Sequence, residues 1–342
     1  MSAGGGTLWI VGAAIVGFAA IACALLIVAS YPWLKRYALA KPNARSSHRT
    51  PTPQGGGIAV IAATVAAVGL VPAIVPLGAA FDSQLAKIIV AALVMACLGA
   101  IDDIRPLPVV PRLLLQTIVV AAVIYTAPDA LRVVPALPWW LERLFLLIGG
   151  LWFVNLVNFM DGIDWMTVVE VIPVTATLAA LGFLGALPSE AMALALALGG
   201  AMIGFAYFNR PTAKVFLGDV GSLPIGLMLG FLLLLAAGGG HLAAAVLAPL
   251  YYLADATITL FRRIARGEPF WEAHRSHFYQ RATDKGFSTM DVVVRVFAVN
   301  IGLGVLATLT VIVPGRTSAF AALAAGAILV GLLLGAFARG RR

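Results

Sequence analysis

Charge is what this sequence has least of. Only 11% of its 342 residues are Asp, Glu, Lys or Arg, against about a quarter in soluble domains. No polar stretch is long enough to fold apart from the apolar runs, which excludes a soluble domain on a single anchor. Cysteine is scarce too. Cys23 and Cys97 both fall inside apolar runs, at no spacing that marks a disulfide or a metal site. The period-two alternation of a membrane barrel is missing. Helices are then the expected spanning element, because lipid cannot satisfy open backbone N–H and C=O groups.

What the sequence has instead is hydrocarbon: 61% of residues are hydrophobic and the mean hydropathy is +1.00. A bilayer core about 30 Å thick needs roughly 20 apolar residues per helix. Such runs recur near 7–30, 57–77, 84–101, 113–126, 139–157, 166–187, 190–208, 218–237, 241–261, 291–313 and 318–337. The expected fold is an all-α polytopic membrane bundle of about eleven transmembrane helices, a single domain over residues 1–342. Lys and Arg collect in cytoplasmic loops. Here they crowd segments 31–56, 102–112, 158–165, 209–217 and 262–290, and only Lys87, Arg132, Arg143 and Arg316 fall on the opposite side. That asymmetry places the N-terminus outside and the C-terminus in the cytoplasm.

The acids follow the same partition. Asp102 and Asp103 end the third run in "LGAIDDIRPLP"; Asp161 and Asp164 follow the fifth in "NLVNFMDGID"; Asp219 opens the eighth in "FLGDVGS". Carboxylates at membrane depth are costly and by default mark function. Asn155 and Asn158 stand beside them. All are hard oxygen donors, suited to Mg²⁺ or Mn²⁺ rather than zinc. The basic shell on that face includes Lys41, Arg45, Arg49, Lys214, Arg262, Arg263, His274 and Arg275. Acid, hard metal and cations together are the composition for pyrophosphate chemistry. Each part has a plainer reading. A basic loop orients the chain and meets anionic lipid, and the "GLMLG" (226–230) and "GLLLG" (331–335) runs are helix-packing patterns. Asp255, inside the ninth run, is as readily a buried structural partner as a helper of the site.

Five motifs in order carry a resemblance: "KPNARSSHRTPTPQGGG", "DDIRPL", "NLVNFMDGID", "FLGDVGSLPIG" and "RRIARGEPFWEAHRSHFYQR". Together they resemble the polyprenyl-phosphate N-acetylhexosamine-1-phosphate transferase superfamily, glycosyltransferase family 4, over roughly 41–281. "AHRSHFYQR" is more similar to the branch that initiates O-antigen or other surface polysaccharides than to the lipid I synthase branch, which carries a run of consecutive His. Besides the last loop, where Arg275 and Ser276 separate His274 from His277, two positions depart from the family. Trp165 stands after "DGID" where the family usually has Gly, and Arg112 stands where it often has Lys.

The resemblance implies a reaction between a UDP-N-acetylhexosamine and undecaprenyl phosphate at the bacterial inner membrane, with UMP released. It implies Mg²⁺ on Asp219 with Asn158, and Asp102 and Asp103 at the acceptor. Asp161 and Asp164, among the catalytic acids, then order the nucleotide pocket or the surroundings of the metal. Lys41, Arg112, Asn155, Arg275 and the His274–His277 loop are the expected substrate contacts. Membrane lipids are the expected surroundings and a homodimer the assembly to test; nucleic acid is no expected partner. A transporter or flippase for an anionic metabolite or lipid-linked sugar is the rival reading. It calls for broken helices with polar groups near the bilayer midplane.

Overall fold

Four helix starts are written as prolines. Residues 109, 139, 189 and 250 each open a helix just after Pro108, Pro138, Pro188 or Pro249. A residue without an N–H sits comfortably there, because the first turn of a helix leaves its N–H groups unpaired anyway. The computed structural model describes residues 3–40, 51–74, 83–269 and 274–341. Along the chain run α1 (Ala3–Tyr37), β1 (Leu39–Ala40), β2 (Thr52–Pro53), α2 (Gly56–Ile74), α3 (Ser83–Ile104), α4 (Val109–Tyr125), α5 (Trp139–Met160), α6 (Met166–Phe183), α7 (Ser189–Asn209) and α8 (Asp219–Ala236). A π-turn (Ala237–His241) leads into α9 (Leu242–Leu247), followed by α10 (Leu250–Ala265), α11 (Phe278–Asp284), α12 (Thr289–Ile312) and α13 (Arg316–Arg339).

The fold is an all-α bundle with almost no sheet. Eight helical segments among the described residues are long and apolar enough to cross a membrane, and Gly56–Leu70 and Val109–Tyr125 are shorter apolar helices. Among the described residues, every apolar run of the sequence falls on a helix, with one division. The run 241–261 splits at Ala248–Pro249 into α9 and α10, where proline removes a donor and the helix must restart. α1 also continues past its apolar run to carry Lys35 and Arg36 in its last turn. The large apolar side chains on the bundle's outer faces, such as Ile21, Val90, Ile118 and Phe320, are exposed, as lipid-facing positions are.

The exception to helix is a small device that matters. β1 and β2 pair antiparallel, Leu39 opposite Pro53. The chain then runs along the segment before α8: Phe216 N donates to Pro53 O (2.8 Å), Gly56 N to Phe216 O (2.9 Å) and Gly57 N to Leu217 O (2.9 Å). Thus "PTPQGGG" is laced to "FLGD" by backbone hydrogen bonds. α2 and α3 also approach the first turn of α8 backbone to backbone. A Cβ on Gly57 would lie 2.3 Å from Gly221 Cα, and one on Gly99 2.2 Å from Asp219 O. Of the two packing patterns, Gly226 meets the backbone of Val154 on α5, whereas Gly331 and Gly335 face open space.

Polar groups inside the bundle are used as joints. Asn300 of α12 donates to Glu170 (2.7 Å) and to Val169 O (2.9 Å) of α6. At the opposite end from the acids, two of the off-side cations hold a loop. Buried Arg143 donates to Ile124 O (3.2 Å) and Pro128 O (3.0 Å), and Arg132 pairs with Glu142, which also accepts from Val133 N and Val134 N. Both serve the 126–138 turn, which is why their presence there does not blur the charge asymmetry.

Candidate active site

The site is assembled at one end of the bundle, where α3 and α5 finish and α8 begins. Asp103 spends its carboxylate on that junction. It accepts from Asp219 N (2.9 Å) and Val220 N (3.1 Å), the first free N–H groups of α8, and from the Gln54 amide. This is N-capping supplied from another helix, and the helix dipole favours the charge. Asp102 is buried beside it, accepting from Leu107 N (2.6 Å) and from Arg112 (2.9 Å). Asp219 itself accepts from the Asn158 amide (2.7 Å), whose nitrogen also reaches Ser222 Oγ (2.9 Å). The Asp102 and Asp219 carboxyls lie within hydrogen-bonding reach of each other, and the Asp103 charge acts on both.

Such crowding of carboxylates with one Arg nearby fits a divalent cation. Among the described residues no three His, Cys, Asp or Glu side chains form a ready-made metal cage. Magnesium does not require one, because it is usually held by one or two carboxylates and completed by substrate phosphates. Asp219 and Asp102 are the side chains with the right chemistry. Asn158 presents its nitrogen to Asp219, so it orients that carboxylate; ligation through its carbonyl needs a half-turn of the amide.

The second wall is the loop 158–165. Thr167 donates to Asp161, and Ala213 N donates to Asp164 (3.0 Å), which ties this loop to the 209–217 segment. Burial pushes the Asp161 carboxyl up to about 6, against the Thr167 hydrogen bond, and the charges of Asp103 and Asp164 add to the rise. A raised folded value means that the folded state holds the proton more tightly. Its contribution to stability is complete below the unfolded value near 3.9 and is lost as pH rises through about 6. Replacing Asp161 by Asn should therefore make the Tm difference from wild type more positive between pH 4 and pH 7.5. Thermal unfolding in detergent across that range checks this; a flat difference means that the carboxyl ionises as freely folded as unfolded.

Trp165 ends the loop with φ 65°, the left-handed region that favours glycine. Here Trp is held there by neighbours: its N–H donates to Asn209 Oδ1 (2.9 Å) and its indole to Ala206 O (2.6 Å). The ring is thus engaged with α7. The opposite face of the loop meets α11. A Cβ on Gly162 would lie 2.1 Å from Tyr279 Oη and 2.9 Å from Gln280 Nε2, so "DGID" needs its glycine for close packing.

The last loop docks on this wall through α11. Tyr279 Oη donates to Phe159 O (3.1 Å), and burial lifts its phenol well above the ordinary range, so it stays a donor. His277 is buried and stacks between His274 (4.9 Å) and Tyr279 (5.8 Å). Burial, with the nearby His277 and Arg263, holds His274 down to about 4. That shift favours the neutral ring at pH 7. Arg275 pairs with Asp284 (3.2 Å).

The expected residues therefore divide. Asp102, Asp103, Asn158 and Asp219 meet, and Asp161, Asp164, His274 and His277 line the adjoining loops. Asn155 sits one turn deeper in α5, bonded to Gln116 of α4 (2.8 Å), away from the carboxylates. Lys41, Arg45 and Arg49 lie outside the described residues. Sequence reading missed Gln54, Thr167 and Tyr279. Gln54 and Tyr279 lie within the motifs it quoted, but their chemistry is unremarkable until their partners are seen.

Residues 85–237, which hold all of these carboxylates, match the family model described as Glycosyl transferase family 4. Over this segment the chain is similar to that family. It is also similar to the phospho-N-acetylmuramoyl-pentapeptide-transferase of Gluconacetobacter diazotrophicus, 32% identical over 186 residues, 48% of this chain and 50% of the relative. The chain thus spans about half the length of the curated relative that it matches. The matched segment runs from α3 to the start of the π-turn, so the α10–α11 wall lies beyond it.

Proposed function

We propose that this protein transfers an N-acetylhexosamine-1-phosphate from a UDP-sugar to undecaprenyl phosphate at the cytoplasmic face of the bacterial inner membrane. UMP leaves, and the lipid-linked product initiates O-antigen or another surface polysaccharide. The observation that carries this reading is the meeting of Asp102, Asp103, Asp219 and Asn158 at one end of an apolar bundle. A lipid phosphate lies at headgroup level and a nucleotide sugar in the cytosol, so a site at the helix ends meets both. Acids at helix ends also favour an enzyme over a transporter, whose coupling residues belong near the midplane. The O-antigen branch rests on the loop sequence "AHRSHFYQR" and on the expected eleven helices with a cytoplasmic C-terminus.

Magnesium bound at Asp219 and Asp102 would screen the donor diphosphate and stabilise departing UMP. The chain's own residues do the positioning. Arg112, paired with Asp102 at 2.9 Å, stands at the acceptor side with a cation for the lipid phosphate. A phosphate monoester is already largely dianionic at neutral pH. The larger task is therefore to bring two anions together, which orientation and charge neutralisation accomplish. The test is a panel of UDP-N-acetylhexosamines given to purified protein with undecaprenyl phosphate and Mg²⁺. Mass spectrometry should show a sugar pyrophosphoryl lipid, with UMP, for at least one donor. No product from any donor would refute the reading.

A further inference from the structure

Asp255 lies outside the matched segment, on α10, and is wholly buried. Its carboxylate is surrounded by donors. Oδ1 accepts from Phe278 N (3.0 Å) and Thr259 Oγ1 (3.4 Å) and faces His277 Nδ1 at 3.3 Å. Oδ2 accepts from Tyr251 Oη (3.2 Å) and Tyr279 N (3.2 Å). The first N–H groups of α11 are thus capped by a carboxylate from a different helix, while the residue at the cap position, His277, supplies no capping side chain.

An ionised carboxylate only accepts hydrogen bonds, so the imidazole nitrogen facing it must carry the proton. With Nδ1–H committed to Asp255, the neutral ring has its acceptor at Nε2. Stacking between His274 and Tyr279 limits how the ring can turn. The same carboxylate fixes Tyr279, whose hydroxyl is bonded to the loop that carries Asp161.

We infer that Asp255 is a positioning residue for phosphoryl transfer: it sets His277 as the Nδ1–H tautomer and docks α11 on the 158–165 loop. Nε2 is then the nitrogen offered to substrate. Where the acceptor arrives as hydrogenphosphate rather than the dianion that prevails at neutral pH, Nε2 takes that proton, which leaves the phosphate dianionic and the ring an imidazolium offset by Asp255. This step rests on the function proposed above; the tautomer does not.

The chain has only four histidines, so ¹⁵N-histidine labelling of the full-length protein in detergent gives a spectrum simple enough to assign, with His277→Gln marking the signal. Above the titration of the ring, wild-type His277 should show a protonated Nδ1 and an unprotonated Nε2. Asp255→Asn should shift that ring toward the Nε2–H tautomer. It should also lower kcat by about 10- to 100-fold, as removing a carboxylate that orients a functional histidine does, with little change in donor KM. A wild-type His277 in the Nε2–H form overturns the inference, and so does an Asp255→Asn variant with unchanged kcat. The wild-type spectrum decides the tautomer even if the variant does not fold. The expected tautomer with no transfer from any donor refutes the proposed function and leaves the Asp255–His277 pairing intact.

Discussion

Asp219→Asn should lower UMP release by about 10²- to 10³-fold without lowering Tm. The two expectations come from the same geometry. Asp219 is the carboxylate that Asn158 orients and that Asp102 approaches, so an amide there removes charge from the one place where hard oxygen donors converge. Folding does not need that charge. The cap on α8 is made by Asp103 through the backbone N–H groups of Asp219 and Val220, which Asn retains. Neutralising one of three crowded acids relieves repulsion among them. Loss of activity with Tm equal to or above wild type is therefore the signature of a functional carboxylate. Wild-type turnover would remove Asp219 from the chemistry, and a large fall in Tm would make it a structural residue.

Gly99→Ala should be the most damaging apolar change near the site. The added methyl would lie 2.2 Å from Asp219 O, 2.3 Å from Asp219 C and 2.5 Å from Val220 N. All three are backbone atoms in the first turn of α8, so no rotamer change can make room. α3 and α8 must separate, at a cost of about 1–3 kcal/mol for overpacking. Asp102 and Asp103 ride on α3 and Asp219 on α8, so separation also spreads the carboxylates. A misplacement of about 1 Å costs on the order of 100-fold in rate. Gly331→Ala is the control. Nothing lies within 4 Å of a Cβ there, and alanine in a helix interior is favoured over glycine by about 0.5–1 kcal/mol. Thermal unfolding and UMP release of the two variants should diverge, and equal behaviour would mean that the α3–α8 contact is looser than its geometry.

Some of the site was legible because its signals are local. Asp102, Asp103, Asp161 and Asp219 stand out as acids where apolar runs end, and Gly162 and Gly57 stand in short motifs next to them. Trp165 was conspicuous as a departure from glycine, and its left-handed backbone explains why glycine is the usual choice. Other features gave no local signal. Asn155 looks equivalent to Asn158 in sequence, yet one turn of helix separates a packing contact with Gln116 from a contact with Asp219. Gln54 is an ordinary polar residue until Asp103, 49 positions away, accepts its hydrogen bond. The break between α9 and α10 was hidden inside one continuous apolar run, although Pro249 marks it in retrospect.

From sequence alone came the all-α membrane bundle, the gathering of acids and cations on one face, and the class of chemistry that hard oxygen donors beside cations support. Hydropathy, charge and residue type are properties of each position, and they sum along the chain without knowledge of its neighbours in space. Only the tertiary structure decided what each carboxylate does. Asp103 caps α8 from 116 positions away, Asp255 caps α11 from a separate helix, and Asp102 and Asp219 remain facing each other. The reason is that hydrogen-bond partners are chosen by packing. Backbone N–H groups at a buried helix start must be satisfied by whatever acceptor the neighbouring helices bring, and that choice separates the acids that cap a helix from Asp102 and Asp219, which meet each other.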